Sequence, residues 1–318
     1  MDCSVTAHPD FYGVGIRVGF YMLWFAVLLA GWLVPSEAAF ARNILLLYIL
    51  ATFIALVVDV TSANYLVAAE VYIVLLLVYC TYYAYIPLYL WRLVTGCSPF
   101  WDPARGQAEF VSSANQYESF GRAWSLANLL MQVAITIFQL WFWITGVHSP
   151  PSPAPAPSSC TQHAFFFAEV PLTNQLFIAL NVIINIVLLI GRVVEILFGI
   201  GFIKHPKWLR RKHRKLRKKG LREVRIAWLN FINGLFGIAV ASIVLAGIEM
   251  TIQWNHIDSS EINNASTAAQ LIPLVVGTGA MVRVLWVGMR DGFGRVEVGS
   301  DTASVVVEET YERRTTIN

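Results

Sequence analysis

The stretch Lys204 to Arg225, KHPKWLRRKHRKLRKKGLREVR, holds 12 of the chain's 23 Lys and Arg between two long apolar runs. Ion pairing cannot hide so many cations in hydrocarbon, and cytoplasmic loops of membrane proteins collect Lys and Arg, so the segment is read as a cytosolic loop. A basic cluster flanked by two spans faces a membrane surface, so anionic lipid is its expected partner and nucleic acid is not.

Working outward, the composition agrees: 14% of residues are charged and 57% hydrophobic, where a soluble domain carries about a quarter charged. A spanning helix needs roughly 20 apolar residues. Windows of that kind lie near 12–33, 43–60, 66–90, 123–147, 173–202, 226–252 and 269–288. The expected fold is all-α, an integral membrane bundle of seven transmembrane helices over residues 1–288, with the basic loop 203–225 and a Pro-rich loop at 148–172.

A cytosolic basic loop makes the fifth helix run inward, which puts the N-terminus on the lumenal or outer side and the C-terminus in the cytosol. The remaining charges agree with that assignment. Segments 1–11, 61–65, 148–172 and 253–268 contain no Lys or Arg, whereas Arg42, Arg105, Arg122, Arg290 and Arg295 fall on the cytosolic side. The sequon Asn264-Ala265-Ser266 falls on the lumenal side, where a glycan is attached in secretory membranes. Ser36-Glu37-Ala38-Ala39 after the first helix imitates a signal-peptidase site, but cleavage there would turn the basic loop outward, so the helix is expected to be retained. Multi-pass insertion, by default into the endoplasmic reticulum, is the expected location.

Of the four cysteines, Cys3 and Cys160 share the lumenal side and are the pair able to form a disulfide, while Cys80 lies within the third helix and Cys97 is cytosolic. His148 to Cys160, HSPPSPAPAPSSC, is a Pro- and Ser-rich linker. Residues 289–318 lack helical periodicity and read as a disordered cytosolic tail, with Ala303 to Val307 the one stretch compatible with an edge strand.

Ionisable groups in hydrocarbon cost about 2.5 to 3.5 kcal/mol each on insertion scales and are expected to face the bundle interior with partners. Arg17, Asp59, Glu70 and Glu249 bring charge from four helices to one lumenal layer, and Glu249, Gln253 and His256 share a helical face at i, i+4, i+7 with Trp254 and Asn255 at the same end. Arg17 has Phe20, Tyr21 and Trp24 at i+3, i+4 and i+7, in part an interfacial aromatic belt. The fifth helix carries a stripe of Asn174, Asn181, Asn185, Arg192 and Glu195, whose last two members suit an ion pair. The fourth places Asn128, Gln132 and Gln139 on one face, as amides that hold helices together.

Aromatic faces beside carboxylic acids suit carbocation chemistry, because a ring stabilises a cation without trapping it and an acid in an apolar site can keep a proton for an epoxide or alkene. Glu249, Glu70 and Asp59 are the acid candidates, and Arg17, Tyr21, Trp24, Gln253, Trp254 and His256 would line the substrate site. A structural clamp, in which Arg17 neutralises one acid and headgroup water hydrates the others, is the competing account. P-loop, HExxH, GxSxG and CxxC motifs are missing, as are the Asp-rich motifs of diphosphate-ionising terpene synthases and the DxDD motif of soluble protonating cyclases. No metal and no cofactor are expected.

The segments YGVGIRVGFY (12–21), EVYIVLLL (70–77), PLYLWRLVTGC (87–97), FQLWFWITGV (138–147), IEMTIQWNHI (248–257) and QLIPLVVGTGAMVRVLWV (270–287) resemble a fungal family of integral membrane proteins over nearly the whole chain. Within it, the sequence looks like the membrane-bound terpene cyclases of meroterpenoid pathways such as those to ascofuranone and macrophorin. The resemblance implies metal-independent cyclisation of the farnesyl-type tail of a prenylated phenol or quinol-derived substrate in secondary metabolism. Protonation of an epoxide or alkene would be followed by attack of an internal double bond or oxygen and by proton loss. In this scheme Glu249 is the general acid and Glu70 or Asp59 takes the final proton.

Two other classes compete. An outside N-terminus with seven helices is also the arrangement of receptors, yet no DRY-like triplet ends the third helix, and the seventh has neither NPxxY nor a Lys for a retinal Schiff base. A transporter or channel would use the polar stripe of the fifth helix as its path.

Overall fold

The computed structural model describes residues 8–34, 36–61, 66–95, 118–148, 161–199, 222–257 and 267–290, leaving out the side chains of 81, 84–95, 118–126, 194–195, 198–199 and 222–233. The elements are α1 (Pro9–Tyr12), α2 (Val14–Leu33), α3 (Ala38–Thr61), α4 (Ala68–Thr95), α5 (Glu118–Ile144), a 3-10 turn at Gly146–His148, strands β1 (His163–Phe165) and β2 (Glu169–Pro171), α6 (Gln175–Gly199), α7 (Arg222–Trp254) and α8 (Ala268–Arg290). Among the described residues, six helical segments, α1–α2 taken together, α3, α5, α6, α7 and α8, are long and apolar enough to cross a membrane, and α4 opens on a shorter apolar run, Ala68–Cys80. Most of the basic loop, the Pro-rich linker, Cys3, Cys97, Cys160, Asn264, the tail beyond 290 and the Glu195 side chain lie outside the described residues.

Contacts between helices set their directions. Arg17 reaches Glu249, and Leu28 and Trp32 lie against Gly237 and Gly234, so α2 and α7 are antiparallel. Gly15 meets Gln270 and Gly19 meets Pro273, so α2 and α8 are parallel. Tyr12 reaches Glu70 at the start of α4, and Tyr72 touches both Trp143 near the end of α5 and Phe177 near the start of α6. The starts of α2, α4, α6 and α8 therefore gather at one end of the bundle with the ends of α5 and α7.

α2 is the most enclosed of the candidate spans. Gly15-Ile16-Arg17-Val18-Gly19 is a GxxxG segment, and small residues four apart let helices that bury no water-driven surface approach backbone to backbone. A Cβ on Gly15 would strike the Gln270 carbonyl, one on Gly19 would lie 2.5 Å from the Pro273 carbonyl oxygen, and one on Gly277 would strike the Gly19 carbonyl. By contrast α6 leaves Leu176, Ile183, Val187 and Ile190 exposed, an apolar stripe suited to lipid tails.

Beyond the linker, the loop before α6 contains a hairpin that the sequence reading treats only as part of a Pro-rich loop. β1 and β2 are antiparallel, with Ala164 opposite Val170. Strands of three residues carry too little alternation to be read from sequence. Side chains of other helices hold the hairpin down. Asn255, just past α7, accepts from the His163 N–H at 2.8 Å and donates to the His163 carbonyl at 2.7 Å. Gln162 accepts from the Ala69 N–H at 2.8 Å, and Tyr72 donates to the Phe165 carbonyl at 3.2 Å.

Asn255→Ala removes both bonds to His163. Hydrogen exchange across 162–171 is expected to speed up, with a stability loss of about 1 to 2 kcal/mol. Unchanged exchange would show that the Gln162–Ala69 and Tyr72–Phe165 bonds and the packing of Phe165 seat the hairpin without Asn255.

Candidate functional site

Arg17, Tyr21, Trp24 and Leu28 recur at i, i+4, i+7 and i+11 and form the face of α2 turned to α7, opposite the glycines that press on α8. Arg17, 4% exposed, donates through Nη1 to Glu249 Oε2, and Tyr21 donates through its hydroxyl to Glu249 Oε1 at 2.9 Å. Both carboxylate oxygens are thus held from a neighbouring helix, while the Glu249 side chain keeps 40% exposure. Trp24, 1% exposed, lies 5.3 Å from the Tyr21 ring, and its Nε1 is buried without a hydrogen-bond partner among the described residues. The structure therefore brings Arg17, Tyr21, Trp24 and Glu249 together, with a cation, a phenol, an indole and a reachable carboxylate at one place.

Glu70 is in a different setting. It is 0% exposed and occupies the third position of α4, from which its Oε2 reaches back to the Val67 N–H at 2.9 Å. This is the acidic half of a capping box, with valine where Ser or Thr would stand. Its Oε1 accepts from the Tyr12 hydroxyl, the His8 N–H at 3.2 Å and the His8 ring Nδ1 at 3.1 Å. Glu70 thereby fastens the segment before α2 to the start of α4, and four donors fill its oxygens.

Asp59 is half-buried near the end of α3. Tyr12, which serves Glu70, ends α1, and Tyr21, which serves Glu249, lies in α2 beyond the break at Gly13, so the two carboxylates are held in separate hydrogen-bond networks.

The stripe Glu249, Gln253, His256 is corrected, because α7 ends at Trp254. His256 follows with φ 46°, its N–H bonding the Gln253 carbonyl at 3.2 Å while the Ile257 N–H bonds the Ile252 carbonyl at 3.4 Å. These two bonds define a Schellman cap, in which His256 holds the left-handed position that glycine favours. Gln253 and His256 are exposed, and Trp254 stacks on Phe165 at 6.0 Å. The α6 stripe loses Asn174, whose Oδ1 caps α6 by accepting from the Leu176 and Phe177 N–H groups at 2.9 and 3.3 Å. Tyr12, His8 and the clasp of Asn255 carry no role in the sequence reading. Their partners lie across the fold, and Val67 lacks the hydroxyl that announces a capping box.

His256→Gly removes the cost of a side chain in the left-handed region and is expected to stabilise the protein by about 0.5 to 1 kcal/mol, whereas His256→Val destabilises it. Thermal melts of the two variants check the sign.

No protein-family model, curated protein or solved structure matches the chain.

Proposed function

We propose that the chain is an integral membrane protein of seven spans, with α4 as the third, an outer or lumenal N-terminus and a cytosolic C-terminus. We further propose that it is a terpene cyclase acting on the prenyl tail of a phenol or quinol-derived substrate. The observation that carries the reading is the Arg17–Glu249–Tyr21 network: it sets a partly open carboxylate among aromatic rings and within a span. The resemblance to membrane-bound terpene cyclases supports the same substrate class.

In this reading Glu249, when protonated, gives its proton to an epoxide oxygen or alkene carbon. An internal double bond or oxygen attacks the electron-poor carbon, and loss of a proton completes the ring with no net change in atoms. Arg17 stabilises the carboxylate left behind, Tyr21 orients it, and the rings of Tyr21 and Trp24 face the developing cation. Glu70, enclosed and filled with donors, serves as an anchor, which leaves Asp59, solvent or Glu249 itself to take the returning proton. A seven-helix receptor or a transporter would need no such turnover.

The test is expression of the chain in a host supplied with prenylated-phenol epoxides, followed by product analysis. New cyclic products are expected, and Glu249→Gln should lower their formation at least roughly a hundredfold, while Glu70→Gln keeps turnover in whatever fraction folds and Asp59→Asn slows it only if Asp59 takes the final proton. Unchanged substrate with correctly inserted wild-type protein would overturn the activity. Full turnover in Glu249→Gln would overturn the acid.

A further inference from the structure

The hairpin of β1 and β2 points in along the helices rather than away from them. At its open side, Gln162 and His163 bond the first turn of α4 and the residue that follows α7. Two residues on, Phe165 offers its carbonyl to Tyr72, further along α4, and its ring stacks on Trp254 and lies against Gly247. Gly247 precedes Trp254, the last residue of α7, by seven residues, about 10 Å of helix. The next ring, Phe166, lies 5.6 Å from that of Phe177, the third residue of α6. Three helices thus agree that β1 runs inward from their ends, which sets the turn at 166–168 below those ends.

What the turn exposes is apolar. Phe166 and Phe167 are 45% and 74% exposed, and no charged residue stands between His163 and Glu169. Phe167 has φ 57°, a conformation that glycine would hold without strain. The turn gains nothing from a ring at that place, whereas an apolar environment around the ring does.

Three features fit hydrocarbon better than water. Backbone groups at the tip are met within the protein, the Phe166 N–H by the Ala168 carbonyl at 3.0 Å and the Phe165 carbonyl by the Tyr72 hydroxyl, as a segment shielded from water requires. The acid that closes the strand pair, Glu169 opposite Phe165, turns back so that its Oε1 lies 3.3 Å from His163 Nδ1, toward the helix ends. The tip is also level with the last turns of the apolar segment Gly234–Trp254 of α7.

We infer that the hairpin is a re-entrant wedge whose tip, Phe166 and Phe167, enters the lipid leaflet at this end of the bundle and rests at the boundary of headgroups and acyl chains. The partner is the acyl chain of a phospholipid. The inference rests on insertion in a membrane and is independent of the cyclisation reading.

The experiment places the photoreactive residue p-benzoylphenylalanine, close in shape to phenylalanine, at position 167 of the full chain, and at position 166 in a second variant. Both are reconstituted in phosphatidylcholine nanodiscs, irradiated and read by mass spectrometry. The expected result is a mass increase of one phosphatidylcholine, with the new bond on an acyl chain. A bond confined to the choline headgroup would place the tip above the hydrocarbon and overturn the insertion. Cross-links to the chain's own segments would make the tip a cover over the bundle, and cross-links to a second copy would make it a contact between copies; either result overturns the proposal. Position 187, on the exposed apolar face of α6, is the reference. Lipid adducts there but at neither 166 nor 167 would sink the wedge alone, and their absence at all three positions would sink the membrane reading with it.

Discussion

Gly19→Leu is expected to prevent α2 and α8 from docking, with the folded fraction in membranes falling to a small residue of the wild-type level. A Cβ alone would lie 2.5 Å from the Pro273 carbonyl oxygen and 2.6 Å from its carbon. Both are backbone atoms of a helix that cannot turn aside as a side chain would. Overpacking of a side-chain core costs about 1 to 3 kcal/mol, and a clash between two backbones falls at or beyond the top of that range. On the same helix Arg17 faces α7, so displacing α2 also moves the cation away from Glu249. Gly279→Leu is the control, since a Cβ there meets nothing within 4 Å. Size-exclusion profiles and melting temperatures of the two variants should differ sharply. Comparable profiles would mean that the α2–α8 crossing does not hold the bundle together.

The second large effect is an asymmetry between the partners of the Arg17–Glu249 pair. Glu249→Leu takes the carboxylate from a guanidinium that is 4% exposed, and is expected to destabilise the protein by about 3 kcal/mol. Arg17→Met leaves a carboxylate that is 40% exposed and still accepts from Tyr21 at 2.9 Å, so it should cost less than half as much. A matched apolar pair often equals or exceeds a buried ion pair in stability. Arg17→Met with Glu249→Leu should therefore recover much of the loss caused by Glu249→Leu alone. Melts of the wild type, both single variants and the double variant form the thermodynamic cycle. Equal costs for the single changes and simple additivity in the double would show that the pair does not couple α2 to α7.

Such contacts were legible from sequence in unequal measure. The position and type of the long helices could be read from apolar runs of about 20 residues, because that signal depends only on the solvent each residue meets. The facing of Arg17 with Tyr21 and Trp24 was legible for the same local reason, as helical periodicity along one element. Glu70 was legible as a buried acid but not as a cap, since its donors come from His8, Tyr12 and Val67. The stripe through His256 assumed that α7 continued, and no glycine at position 256 marked the turn that ends it.

By itself, then, the sequence determined that apolar helices dominate the chain, where they lie, and which side chains share a face of each, because helix formation and hydrophobicity act over a few neighbouring residues. Only the tertiary structure decided that Arg17 and Tyr21 close on Glu249, that Glu70 is enclosed by His8 and Tyr12, and that a hairpin rests on α4 and α7. Those outcomes depend on which helix faces are pressed together. In the case of α2 and α8 that is set by Gly15, Gly19 and Gly277 and the carbonyls they admit, a fit between distant segments that no local pattern encodes.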